Sequence, residues 1–538
     1  MKNLNKILAL ALATTAFVSC EDLDTKYYGA YVTPDEKAEI VNQSPDKGTA
    51  STNAIFSSAY VYETVASSHY DFGYPAVMLG MDLQGSDMIS TYYGYNWHAN
   101  WMVFASPTQN GIPTYMAWYH LYDMIFPCNS VLSSITAEAA TTDATKFYRA
   151  NALAYRAFCY WNLAQLYQFN YVGHENSPCV PIITAENADE YAQNGGPRAT
   201  VQEVYDQILS DLNEAITLFK ESSYTRATAM SSKPKRMIDL SVAYGILART
   251  YLTMHKYADA ATAAQNAINA SSCKPYSISD VAQPSFASIE DNSWMWGIAT
   301  AETDRVVTSG IVNWPSFICS FAYGYVTVGA WKWANVELYN AIPTADVRKG
   351  WFLNASLQSE NLSTEQQEYL DQYENIEPYT NVKFNSYNGV LEQSTSANDI
   401  PLMRIEEMYY ILAEGKAMGG DVAGGKSTFE TFIKTYRNPS YVCQAATAEA
   451  LQEAIYQDRR VEFWGEGLSW FDVMRLGKNV TRNGLNWPSD AAFNINANDA
   501  EQSKVMIYLI PNSEINGNKQ ISSADNNPIG EAPTPGQQ

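Results

Sequence analysis

Apolar residues recur three and four positions apart along much of this chain. In SVAYGILARTYLTMHKYADAATAAQNAI, Ala243, Leu247, Ala248 and Tyr251 form one stripe. Tyr257, Ala260, Ala264, Ala267 and Ile268 form a second, after a turn at His255-Lys256. That spacing predicts two helices folded back on each other, with small residues where they cross. RANALAYRAFCYWNLAQLYQF carries Tyr155, Phe158, Leu163, Leu166 and Tyr167 at helical spacing. TVQEVYDQILSDLNEAITLF opens on Thr200 with Glu203 three residues on, a capping box, and continues Val204, Ile208, Leu212 and Ile216. Helix pairs whose apolar face needs a stacked neighbour follow the logic of tetratricopeptide repeats, the competing reading being an irregular bundle.

Between about residues 271 and 401 the stripes give way to Ser, Asn, Pro, Gly and aromatics, with a short strand expected at Tyr325–Val328. The expected fold is mostly α: tetratricopeptide-like helix-pair repeats with a loop-rich, aromatic-rich region of few short strands. Further on, GDVAGGKST (Gly420–Thr428) spells the letters of a phosphate-binding loop. Such a loop must follow a buried strand and open a helix. Here Ile405, Met408, Tyr409, Leu412 and Ala413 precede it as a helical stripe, and Phe429, Phe432, Ile433 and Tyr436 follow as another. The stretch is the turn of a helical hairpin: Gly419 and Gly420 end one helix and the next begins near Asp421 or Val422. No nucleotide is expected to bind.

Composition alters this picture in three ways. An apolar fraction of 46% over 538 residues supports a large folded core. A net charge of −23 argues against nucleic acid, which demands clustered Lys and Arg. The 38 Tyr and 13 Trp exceed what a core alone requires and suggest contact surfaces.

The first residues, MKNLNKILALALATTAFVSC, pair Lys2 and Lys6 with an apolar run from Ile7 to Val18 that is too short to span a bilayer. Residues 1–19 read as a signal peptide, and the stretch resembles a bacterial lipoprotein signal with Cys20 as the acylated residue. Glu21, Asp22 and Asp24 follow at once, as in the surface-export signal of Bacteroidetes lipoproteins. Lipid at Cys20 is the only membrane attachment expected. Cys128, Cys159, Cys179, Cys273, Cys319 and Cys443 are scattered without a C-x-x-C pair and read as buried thiols.

DIPLMRIEEMYYILAEGKAMGGD, IYQDRRVEFWGEGLSWFDVMRLG and IYLIPNSEINGN resemble, in order and spacing, motifs of the SusD/RagB family. Asp458 stands where many relatives have Glu, and Gly415 and Gly425 stand where Ala is commoner. The resemblance implies an outer-membrane lipoprotein, lipid-anchored and facing the cell exterior, that captures glycans and passes them to a SusC-like TonB-dependent transporter. It divides the chain into a signal peptide (1–19), an N-terminal helical-repeat region (20–270) with an aromatic ligand loop (85–115), a loop-rich aromatic region (271–401), a C-terminal helical region (402–520) and a mobile tail (521–538).

Two stretches carry the aromatic and polar mixture a sugar needs. GSDMISTYYGYNWHANW holds Tyr92, Tyr93, Tyr95, Trp97 and Trp101 beside Asp87, Asn96, His98 and Asn100, without helical or alternating periodicity. Its position resembles the place where relatives bind glycan, and the Trp97-x-x-Asn100 pair is the match carried over. The region from Trp294 to Trp333 holds Trp294, Trp296, Trp314, Trp331 and Trp333 with Tyr323 and Tyr325, and in relatives supplies the opposing wall. The expected ligand-binding residues are Asp87, Tyr92, Tyr95, Trp97, Asn100, Trp101, Trp296, Trp314, Tyr323 and Trp331.

Catalysis is not expected. Asp458, Glu462 and Glu466 share a helix face with Arg459 and Arg460 close by, so pairing with Arg459, Arg460 or Arg475 outweighs a glycosidase-type acid pair. The five histidines show no metal-ligand spacing, no G-x-S-x-G elbow occurs, and neither a metal nor a cofactor is expected. Two rival readings remain: a scaffold subunit of the transporter complex without its own ligand site, and a surface glycan-degrading enzyme.

Overall fold

The computed structural model describes residues 39–40, 43–104 and 111–536. The signal peptide, Cys20 and residues 105–110 of the aromatic loop lie outside them. The longer helices are α1 (Pro45–Ser57), α2 (Tyr74–Gln84), α3 (Ile112–Ser134), α4 (Asp143–Tyr167), α5 (Val201–Glu221), α6 (Leu240–Thr253), α7 (Tyr257–Ala270), α8 (Ile405–Met418), α9 (Val422–Tyr436), α10 (Ala448–Glu462) and α11 (Ser469–Leu476).

From α3 to α9 each of these helices packs on the next, so every apolar stripe is covered by its neighbour. The starts are fixed locally. Thr200 accepts from the Glu203 amide at 3.2 Å while the Glu203 carboxylate accepts from the Thr200 amide at 2.7 Å, the expected capping box. Asp239 accepts from the Val242 amide to open α6. The α6–α7 turn places His255 in the left-handed region (φ 55°). At the α7–α8 crossing, a Cβ on Gly415 would lie 2.7 Å from the Tyr257 carbonyl oxygen and 2.8 Å from the Ala261 amide. Glycine there lets the two backbones touch. GDVAGGKST is the α8–α9 turn: Gly420 adopts φ 104° and Asp421 caps the Gly424 amide at 2.9 Å.

Strands are few and short. β1 (Met88–Ile89) pairs antiparallel with β3 (Trp333–Ala334), and β2 (Trp294–Ile298) with β4 (Ile400–Arg404). Tyr325–Val328 is not the expected strand. Its backbone closes on itself in turns, with the Gly329 amide bonding the Val326 carbonyl and the Ala330 amide bonding the Tyr325 carbonyl.

Asp458, Glu462 and Glu466 do form ion pairs, but their partners come from remote segments instead of Arg459, Arg460 and Arg475. Arg348 bridges Asp346, Asp458 and Glu462; Glu462 also binds Arg404 and Arg437; Glu466 binds Arg404 and Lys383. Burial alone would raise the Glu462 carboxyl, yet Arg437, Arg404 and Arg348 together hold it well below the usual carboxylate range.

Part of the C-terminal stretch expected to be mobile is tied to the body of the protein, while most of its side chains are exposed. The buried Asn527 donates to the carbonyls of Tyr167 and Tyr508 at 2.7 Å, and Arg198 donates to the Asp525 carbonyl. These bonds join the last residues to the end of α4, which composition alone does not reveal. The six cysteines are free thiols, five of them buried. Among the described residues no helix is long and apolar enough to cross a membrane.

Candidate functional site

The loop between α2 and α3 is anchored at its base. Arg482 is fully buried and donates to the carbonyls of Leu83, Gln84 and Gly85, which end α2, and to that of Met102. One guanidinium thus ties both ends of the 85–102 stretch, and a cation is favoured where helix carbonyls are left open. Trp101 lies beneath the loop, buried against His98 and Tyr70. It fits because residue 80 is glycine: a Cβ there would lie 2.3 Å from the indole nitrogen.

Above this base the side chains sort by exposure. Trp97 (38%), Tyr95 (54%) and Tyr93 (67%) face solvent, as does Tyr323 (48%) from the central region. The Trp97 ring lies 4.8 Å from that of His69, tilted by 43°, the Tyr325 hydroxyl bonds His69, and Tyr95 sits 6.0 Å from the Tyr325 ring. Tyr325 itself is buried, stacked on Phe317 at 4.5 Å, and burial pushes its phenol up to about 12. The result is a surface platform of Tyr95, Trp97 and His69 on a packed aromatic underlayer. Such a face presents apolar area that a sugar ring can cover.

The loop that carries His69 is set by Asp71. Its carboxylate accepts from the amides of Val65 (2.8 Å) and Ala66 (2.6 Å) and pairs with His120 at 2.7 Å. The platform is therefore held in place before any ligand arrives.

Of the ten expected residues, Tyr95, Trp97 and Tyr323 are exposed, while Tyr92 and Asn100 are half-buried. The other five require correction, because the structure buries them. Trp296 packs edge-on against Tyr155 and Phe158 and donates to the Arg236 carbonyl; Trp314 meets Phe384 edge-on; Trp331 meets Tyr373 and bonds Asn375. Trp101 is the loop's base, and both oxygens of Asp87 are engaged by Arg460. None of these five can stack on or bond a ligand without the core opening. His69, Asp71 and Arg482 were not among the expected residues. A lone histidine, aspartate or arginine carries no local periodicity that would mark it.

Among the described residues no group of three or more His, Cys, Asp or Glu side chains is arranged to hold a metal ion. Glu462 and Glu466 are closed in by arginines and Lys383 and held ionised, an arrangement for cohesion and not for proton transfer.

Comparison with known proteins agrees with the architecture. Residues 26–252 match the family model described as SusD-like, "Starch-binding associating with outer membrane", and residues 323–528 match that of the SusD family. A SusD-like protein P2 of Formosa agariphila is 23% identical over 395 residues, 67% of this chain and 71% of that one. A SusD-like carbohydrate binding protein of Bacteroides vulgatus superposes with a TM-score of 0.72 at 24% identity, covering 89% of this chain and 98% of that one. The surface glycan-binding protein A of Bacteroides thetaiotaomicron, solved with laminarihexaose, gives 0.60 at 16% identity and 89% and 99% coverage. With both halves matched and the helical architecture in common, this chain belongs to the SusD/RagB family.

Proposed function

We propose that this protein captures oligo- or polysaccharide on the Trp97 platform and passes it to a SusC-like TonB-dependent transporter, tethered by lipid at Cys20 to the outer face of the outer membrane. The observation that carries the reading is the surface of exposed Tyr95 and Trp97 beside half-buried His69, held on a fixed aromatic underlayer. Laminarihexaose bound to one structural neighbour and laminarin binding by another support the ligand class. The family description naming the outer membrane supports the location.

Trp97→Ala tests the platform. An aromatic anchor at a binding surface is worth about 2 kcal/mol or more on truncation, so affinity for a bound glycan should fall roughly thirtyfold. At 38% exposure Trp97 contributes little to the core, so the melting temperature should change by about 2 °C or less. Unchanged affinity by calorimetry would remove the platform from the site. Release of reducing sugar by the wild-type protein would favour the enzyme reading instead.

A further inference from the structure

A cavity of 1080 Å³ is lined in part by the same loop that reaches the platform. The loop from residue 58 to 72 links the two: Tyr60, Tyr62 and Thr64 line the cavity and His69 stands in the platform. Phe56 and Tyr387 complete its aromatic walls. The cavity also holds three cations, Lys233, Arg236 and Arg305, in a chain whose acids outnumber its bases by 57 to 34.

Their pairing sets two of them apart. Lys233 is neutralised by Asp399 at 2.6 Å. Arg236 donates to the Ser57 hydroxyl at 3.1 Å, while its Nε is buried without a partner. The guanidinium of Arg305 lies 4.8 Å over the Tyr62 ring. Among the described residues neither Arg236 nor Arg305 has a carboxylate within ion-pair distance. Of the buried arginines, 348, 404, 437, 459 and 475 each have one or more, while Arg482 is satisfied by backbone carbonyls. Thr300 adds a buried hydroxyl without a partner to the same wall.

Two acids share the cavity and are already engaged. Glu302 accepts from the Tyr387 hydroxyl at 3.0 Å, and Asp304 accepts from the Ala301 amide at 2.8 Å. They prevent a bare anion trap, and their remaining lone pairs suit sugar hydroxyls. A buried donor without a partner is unfavourable until a ligand accepts from it, and a guanidinium held over a ring can make two-point contact with a carboxylate or sulfate.

We propose that this cavity is a subsite for an acidic sugar: Arg236 and Arg305 receive a carboxylate or sulfate group on the same glycan that lies across Trp97. The inference rests on the glycan-capture reading and narrows its substrate class.

The test is calorimetric titration of the full mature protein with oligogalacturonate, a chondroitin sulfate oligosaccharide and a neutral laminari-oligosaccharide of similar length. At least one acidic ligand should bind tenfold or more tightly than the neutral one, and the preference should shrink in high salt. Which acidic ligand gains separates carboxylate from sulfate. Arg305→Gln and Arg236→Gln should each reduce acidic-ligand affinity fivefold or more and leave the neutral ligand unaffected. Arg305 is exposed, so its variant keeps the test valid if Arg236→Gln lowers the melting temperature. Equal affinity for neutral and acidic ligands, or unaltered acidic affinity in Arg305→Gln, overturns the inference. If a neutral glycan binds through Trp97 without any acidic preference, the subsite falls and the capture reading stands. If no glycan binds at all, both fall.

Discussion

Lys332 is a buried cation with no carboxylate, and removing it should stabilise the protein. Its ammonium sits at 0% exposure beneath the aromatic loop, donating to the Ala330 carbonyl at 2.7 Å and the Ser90 hydroxyl at 3.1 Å, with the Phe317 ring 6.0 Å away. Burial pushes it down from 10.5 to about 7. His98 lies in the same interior, pushed well below its ordinary value by burial and then by the Lys332 charge. For this buried lysine the folded value lies below the unfolded one, so the unfolded chain binds more protons between pH 7 and 10.5. Stability therefore rises with pH across that window, and the full penalty is present below it. The difference, 10.5 − 7, corresponds to about 5 kcal/mol at pH 6 and about 1–2 kcal/mol at pH 9.5. Lys332→Met removes that penalty but leaves the Ala330 carbonyl without its lysine donor, which costs about 1–3 kcal/mol. The expected net gain is about 2–4 kcal/mol at pH 6, falling to zero or a small loss at pH 9.5. Urea unfolding of both proteins at the two pH values measures it. A variant less stable at pH 6, or a difference independent of pH, would refute the reasoning.

Other outcomes follow from the packing. Glu462→Gln leaves three buried arginines short of their shared partner and should cost about 3–5 kcal/mol, read as a lower urea midpoint. Because the Glu462 carboxyl is held below its ordinary value, its contribution is present above about pH 4.5 and declines as pH falls further; an acid titration in which the wild-type and glutamine curves never converge would contradict this. Gly415→Ala should destabilise by about 1–3 kcal/mol, since its methyl would press on the α7 backbone. A melting temperature at or above wild type would show that α7 and α8 can separate at small cost.

The repeat architecture was legible because its signals are local. The stripes in α4 to α9, the Thr200 capping box and the glycine turn after α8 all depend on residues within one or two helical turns. Exposure was not legible. Trp294 and Trp296 alternate like a half-buried strand, yet both are buried because β2 is covered on both faces, Trp296 against α4. Trp97 and Trp101 sit four apart in one loop and have opposite fates, decided by the space Gly80 leaves. The charged motif was read as ionic from its spacing, but its partners at 348, 404 and 437 are set by tertiary folding. His69 and Asp71 belong to the site only because the chain returns Tyr325 and His120 to them.

The packing of the C-terminal stretch bears on how the chain acquires its structure. Asn527 bonds the last residue of α4 across a sequence separation of 360, and Arg460 holds Asp87 across 373. These two bonds can close only once nearly the whole polypeptide is present. Folding with so many distant closures is slow. A truncation of some twenty residues should therefore leave the end of α4 without its final clamp.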